Sequence, residues 1–146
     1  MKLSTEGLAL LKQFEGLDLQ AYPDPATGGE PWTIGFGHTG PDVYQGKVIT
    51  DDEAEDLLLE DVFKFERCVE DALEQPATQR QFDAMVVLAY NIGCKAFAGS
   101  TLLRLFNEGN AVAAQQQFRR WNKAAGKEMA GLTRRRNAEA DHFGMA

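Results

Sequence analysis

The sequence predicts an α+β fold: an N-terminal helix, a small antiparallel sheet, a long helix and a helical remainder. Three observations carry this. Glycines and prolines crowd between residues 17 and 49, with short β-type runs between them. Apolar residues then recur at helical spacing from Ala54 to Leu73. Beyond Pro76 helical periodicity dominates to the end.

The elements follow in order. Leu3, Leu8, Leu10, Leu11 and Phe14 give a helical apolar face, with Ser4 or Thr5 as its cap. Gly16 can supply the left-handed residue that ends it. Leu19–Tyr22 and Trp32–Phe36 read as strands around a turn at Thr27-Gly28-Gly29. Isolated glycines at 35 and 37 let another backbone or a ligand come close. Thr50 and Glu53 form a capping box. The stripe Ala54, Leu57, Leu58, Val62, Phe65, Val69, Leu73 continues that helix for about six turns, on the order of 35 Å. Helices are expected at 78–91, 102–106, 111–121 and 132–143. The 146 residues, 44% of them hydrophobic, supply one core. We expect a single domain over residues 1–146: a small lobe at about 13–50, a connecting helix at about 50–74, and a helical lobe at about 76–146 that includes the N-terminal helix.

Charge narrows the function. The chain carries 22 acids against 15 Lys and Arg, a net charge of −7. Such a protein is a poor general ligand for nucleic acid or anionic membrane. The charge is uneven: residues 50–74 hold eleven acids and two bases, residues 119–136 seven bases and one acid. Both runs read first as solvated helix faces. No stretch approaches the length of a membrane span, and residues 1–11 lack the apolar run of a signal peptide. The expectation is a monomer that accumulates in the cytoplasm of its producer. Cys68 and Cys94 belong to no metal-ligand spacing, and no metal or cofactor is expected. Read from residues alone, a disulfide and two free thiols stay equally open.

One constellation carries chemistry. Glycoside hydrolysis uses one carboxylic acid to protonate the leaving oxygen and a second carboxylate across the sugar. Glu15 ends an apolar helix where the chain enters the sheet, Asp24 lies in the following turn, and Thr33 starts the next strand. In a chain with 22 acids that spacing alone is weak. The wider pattern is specific. Phe14-Glu15-Gly16-Leu17, Ala21-Tyr22-Pro23-Asp24 and Trp32-Thr33-Ile34-Gly35-Phe36-Gly37-His38 resemble the phage-type lysozymes, the family of the T-even phage enzyme and the lambdoid endolysins. Gln81–Ala84 with Tyr90-Asn91-Ile92-Gly93, then Ser100–Arg104 with Asn107, and finally Trp121, Gly131-Leu132 and Arg134–Glu139 match the same family in order.

The resemblance implies a lysozyme-like fold and hydrolysis of peptidoglycan between N-acetylmuramic acid and N-acetylglucosamine, by inversion. It implies Glu15 as general acid, Asp24 as the carboxylate that activates water, and Thr33 as the hydroxyl that places it. Tyr90 falls where the family has an aromatic lining the cleft. Of Arg134, Arg135 and Arg136, Arg135 is expected to reach toward Glu15 and the others to be solvated. The pair Cys68 and Cys94 resembles paired cysteines of some lambdoid relatives, which implies a disulfide. Release through a separate pore protein, a holin, is implied in the same way. Eight residues separate Asp24 from Thr33, more than in the family, so Asp24 is less securely placed than Glu15. His38 reads as structural, a partner for an acid on the long helix. Trp32 and Trp121 read as core. The rival readings are a lytic transglycosylase, which needs only the acid, a wall-binding relative without activity, and a nucleic-acid binder using the basic run.

Overall fold

The computed structural model describes residues 1–145. The elements are α1 (Thr5–Glu15), β1 (Asp18–Tyr22), β2 (Thr33–Gly35), β3 (His38–Thr39), α2 (Asp51–Ala72), α3 (Gln79–Ile92), α4 (Cys94–Ala98), α5 (Thr101–Asn107), α6 (Ala111–Gln117), a 3₁₀ turn (Phe118–Arg120), β4 (Lys123–Ala124), β5 (Lys127–Glu128) and α7 (Ala130–Phe143). This is an α+β fold. The chain divides into two compact units. A sheet unit comprises Leu11–Phe63; a helical unit comprises Met1–Leu10 and the chain from Lys64 onward.

In the sheet unit, Gly16 ends α1 at φ +70° with its N–H on the Lys12 carbonyl, a left-handed position that suits glycine. The strands run β1-β2-β3, all antiparallel, with Asp18 opposite Gly35 and Tyr22 opposite Thr33. Four steps along β1 therefore match two along β2, so β1 is bulged. Ala21, Ile34, Val43, Ile49 and Ala54 form the buried core, with Leu19, Trp32, Phe36 and Leu57 packed on it. Trp32, expected in the core, is half-buried and packs against it. The capping box at the start of α2 forms as read: Glu53 N–H donates to Thr50 Oγ1 and Thr50 N–H to Glu53 Oε1, both at 3.2 Å. His38 ties the sheet to α2, its Nδ1 2.7 Å from Asp61 Oδ2, and its Nε2 lies 3.0 Å from Asp42 Oδ2. Lys12 on α1 pairs with Glu55 on α2.

In the helical unit, α3 is buried continuously from Phe82 to Ala89, the signature of a helix apolar on all sides. One buried acid interrupts it. Asp83 accepts from Ser4 N–H at 3.0 Å, Ser4 Oγ at 2.5 Å and Gln79 Nε2 at 2.8 Å, and His142 Nε2 of α7 lies 3.0 Å away. Ser4 Oγ in turn caps α1 through Gly7 N–H, 3.0 Å. Gly7 has to be glycine: an added Cβ would lie 2.6 Å from Asp83 Cγ. Cys68 of α2 and Cys94 of α4 are joined as a disulfide, their Cα atoms 6.0 Å apart.

Three details depart from the sequence reading. The helix expected at 111–121 stops at Gln117 and tightens into a 3₁₀ turn. Next comes an unforeseen hairpin, β4–β5, turned by Ala125 and Gly126 at φ +51° and +80°. The five-residue α4 follows the break at Gly93 directly.

Candidate active site

Glu15 is the last residue of α1, half-buried, and its carboxyl lies over the β2–β3 turn. A Cβ at Gly37 would come 3.0 Å from Glu15 Oε1, and Gly37 sits at φ +86°. The glycine therefore does two things. It makes the turn, and it leaves room for a carboxyl group against the backbone.

Thr33 stands directly opposite Tyr22 across the β1–β2 ladder, its hydroxyl beside the phenol. Burial raises the Tyr22 phenol above its ordinary value, and the charges of Asp18 and Glu15 raise it further. The phenol therefore lies within the field of Glu15 and on the hydroxyl of Thr33. The structure brings together Glu15, Tyr22 and Thr33. Tyr22 lies in the Ala21-Tyr22-Pro23-Asp24 motif, which by itself gives the phenol no role. Its pairing could only come from strand register, which the bulge in β1 hides from sequence.

Asp24 lies two residues beyond Tyr22, in the loop between β1 and β2. Its carboxylate accepts from Ala26 N–H at 2.7 Å, within its own turn. Its backbone N–H donates to the Gly29 carbonyl at 2.9 Å and its carbonyl accepts from Gly28 N–H at 2.8 Å. Thr27 Oγ1 donates to the Glu30 carbonyl at 2.6 Å. The long loop thus folds on itself beyond the Tyr22–Thr33 pair and leaves that pair intact.

The remaining candidates lie in the helical unit. Tyr90 is half-buried and packs on Phe65, ring centroids 5.1 Å apart. Arg135 is buried on α7. Its Nε lies 3.0 Å from Glu139 Oε2 and it donates to the Val87 carbonyl at 3.2 Å. The expectation that its neighbours are solvated holds for Arg134 and fails for Arg136. Arg136 is fully buried, donating to Asn91 Oδ1 at 2.5 Å, with its Nε 3.4 Å from Glu139 Oε1. The reason is the fully buried Glu139, a charge whose position on α7 faces both arginines. Trp121 is half-buried. Among the described residues no group of His, Cys, Asp and Glu could hold a metal ion, and no helix is long and apolar enough to cross a membrane.

The site thus sets an acid that closes a helix over a glycine turn beside a hydroxyl–phenol pair on a small sheet. A family model described as phage lysozyme matches residues 12–139, and the chain belongs to that family. An endolysin of Bacillus phage PZA is 48% identical over 98% of this chain and 55% of its own length. The chain thus spans about half the length of that relative. An endolysin of Salmonella phage P22 is 41% identical over 96% of this chain and 97% of its own. Among solved structures, the muramidase domain of SpmX from Asticaccaulis excentricus superposes with a TM-score of 0.91 at 38% identity, covering 99% of both chains.

Proposed function

We propose that this chain is an endolysin-type muramidase. It hydrolyses the bond between N-acetylmuramic acid and N-acetylglucosamine in bacterial peptidoglycan, inverting the anomeric carbon. The observation that carries this is Glu15 at the end of α1 over Gly37, beside the Thr33–Tyr22 pair, in a chain of the phage lysozyme family.

In the proposed reaction Glu15 enters protonated and gives its proton to the glycosidic oxygen as the bond to the anomeric carbon breaks. Water attacks that carbon from the opposite face and surrenders a proton to Asp24. Thr33 holds the water, and the Tyr22 phenol stands beside the Thr33 hydroxyl. Tyr90 and Arg135 are assigned to the substrate, Tyr90 through its ring and Arg135 through a guanidinium already held rigid by Glu139 and Val87. Access to the wall is assigned to a holin made by the same phage.

Turbidity loss of purified peptidoglycan tests the reading. Glu15→Gln is expected to lose about 10³-fold in rate with unfolding unchanged, the scale of a removed general acid. Full activity in that variant would overturn the mechanism. A second reading is favoured by the Asp24 carboxylate being engaged on its own loop: a lytic transglycosylase, which needs no water-activating base. Product ends decide it. Reducing sugar ends and a strong loss in Asp24→Asn support hydrolysis; anhydro-muramic ends with Asp24→Asn active support the transglycosylase.

A further inference from the structure

The basic run from Arg119 to Arg136 does not behave as one solvated face. Arg119, Arg120 and Lys123 line a cavity of about 530 Å³ in the helical unit, with Asn122 and Glu128. None of the three cations pairs with an acid among the described residues. Arg119 is gripped by neutral amides, donating from Nε to Asn137 Oδ1 at 3.0 Å and from Nη1 to Gln116 Oε1 at 2.9 Å. The side chains of Arg120 and Lys123 make no hydrogen bond or ion pair among the described residues. This is an unusual state for a chain with 22 acids and 15 Lys and Arg, where acids are in surplus. Their absence here leaves three positive charges against the single carboxylate of Glu128.

The walls are fixed by backbone geometry. Met129 N–H donates to the Asn122 carbonyl at 2.9 Å, and Asn122 Nδ2 donates to Thr133 Oγ1 at 3.1 Å. These bonds root the β4–β5 hairpin, whose strand pair sets Lys123 opposite Glu128. Arg119 is pre-oriented by its two amides, so little side-chain entropy is lost when a ligand arrives. Arg120 also lines an adjoining cavity of about 240 Å³ with Thr101, Gln117 and Trp121.

We propose that Arg119, Arg120 and Lys123 form a binding site for the phosphate groups of a flexible phosphodiester polymer. Each phosphodiester brings one negative charge on two free oxygens that diverge from a tetrahedral centre, and a polymer repeats that charge at intervals, so successive groups can meet separately placed cations. The two cavities meeting at Arg120 suit an extended chain that carries one phosphate past another group. They are too small to seat a duplex. The site lies outside the residues assigned to hydrolysis, and its readout is binding, so its fate is separate from that of the muramidase reading.

The test uses the whole chain. Inorganic phosphate is titrated at constant ionic strength with chloride as control, following backbone amide shifts. A synthetic poly(glycerol phosphate) and a duplex DNA form the two polymer arms. Shifts confined to residues 119–123 and 128 with phosphate, absent with chloride, are expected. The poly(glycerol phosphate) should bind more tightly than phosphate and than duplex. The double variant Arg120→Ala, Lys123→Ala should weaken it about tenfold and lower its salt slope by roughly two, one per lost phosphate contact. Glu128→Gln should tighten it about threefold by removing the one repelling charge. Equal shifts with chloride, polymer binding unchanged in the double variant, or tighter binding of duplex than of the flexible polymer would each overturn the proposal. The unfolding temperature of each variant, expected to match wild type because these side chains are exposed, separates lost binding from lost fold.

Discussion

The two units are held together by different means. The helical unit has a helix buried on all sides and, inside it, the Asp83 cluster with every partner in place. The sheet unit has a core cluster of five buried apolar residues and relies on polar links near the surface: His38 with Asp61 and Asp42, and Lys12 with Glu55. Buried networks are costly to break because each orphaned group stays in low dielectric. Links near water cost less to lose, because solvent replaces the partner. The difference assigns rigidity to the helical unit and looseness to the sheet unit, where the proposed acid, hydroxyl and loop carboxylate all reside. Chemistry on a substrate has to admit and release a polymer, and residues on weakly held elements are the ones that can yield.

The strongest way to break this contrast is at Asp83. Asp83→Ala leaves Ser4, Gln79 and His142 without their acceptor, and should cost about 4 kcal/mol in denaturant unfolding. A loss under 1 kcal/mol would show that the network is no more than a filler. Reduction of Cys68–Cys94 comes next. The bridge closes a separation of 26 residues, and the chain-entropy relation gives about 3.5 kcal/mol for such a loop. Amide exchange should then quicken in α3 and α4 and stay unchanged in β1–β3. Equal quickening in both units would erase the distinction drawn here.

The smallest effect is a pH dependence confined to the sheet unit. Burial pushes the His38 imidazole down, but hydrogen bonds and charge from Asp61 and Asp42 outweigh it, so its pKa stands above the ordinary value. Asp42 is also partly desolvated, yet its bond to His38 holds its pKa below the usual carboxylate range. A raised histidine stabilises fully below its unfolded value near 6.5 and is lost as pH rises through the folded one. A lowered aspartate stabilises above its unfolded value near 4 and is lost as pH falls through the folded one. The clamp is therefore complete at about pH 5. His38→Gln should lower stability by about 1 kcal/mol at that pH and by clearly less at pH 9, measured by thermal unfolding. The same loss at both pH values would mean that packing of the ring, and not its charge, matters.

Much of the fold was legible because the signals are local. Ser4 as cap, Gly16 as the left-handed stop and the Thr50–Glu53 box need only neighbours a few residues away. His38 could be paired with an acid on α2 because that helix is dense in acids. What escaped is decided at a distance. Arg136 is buried because Asn91 and Glu139 wait for it, and nothing in an arginine triplet says which member turns inward. The β4–β5 strands are two residues each, polar and exposed, so they carry no alternation to read. At the candidate site, Glu15 and Thr33 could be named from the motif. The Tyr22 contact depends on a bulge that shifts register by two, and the Asp24 engagement on how an extended loop closes upon itself.

Asp83 joins Ser4 to His142 across nearly the whole sequence. On a ribosome this has a kinetic meaning. The cap of α1 and the acceptor on α3 are both made first, and the imidazole that completes the cluster follows 59 residues after Asp83. The helical unit therefore cannot close vectorially, segment by segment, as the chain appears. Its closure waits for α7, and a nascent or prematurely terminated chain holds the start of the Glu15 helix against an incomplete support.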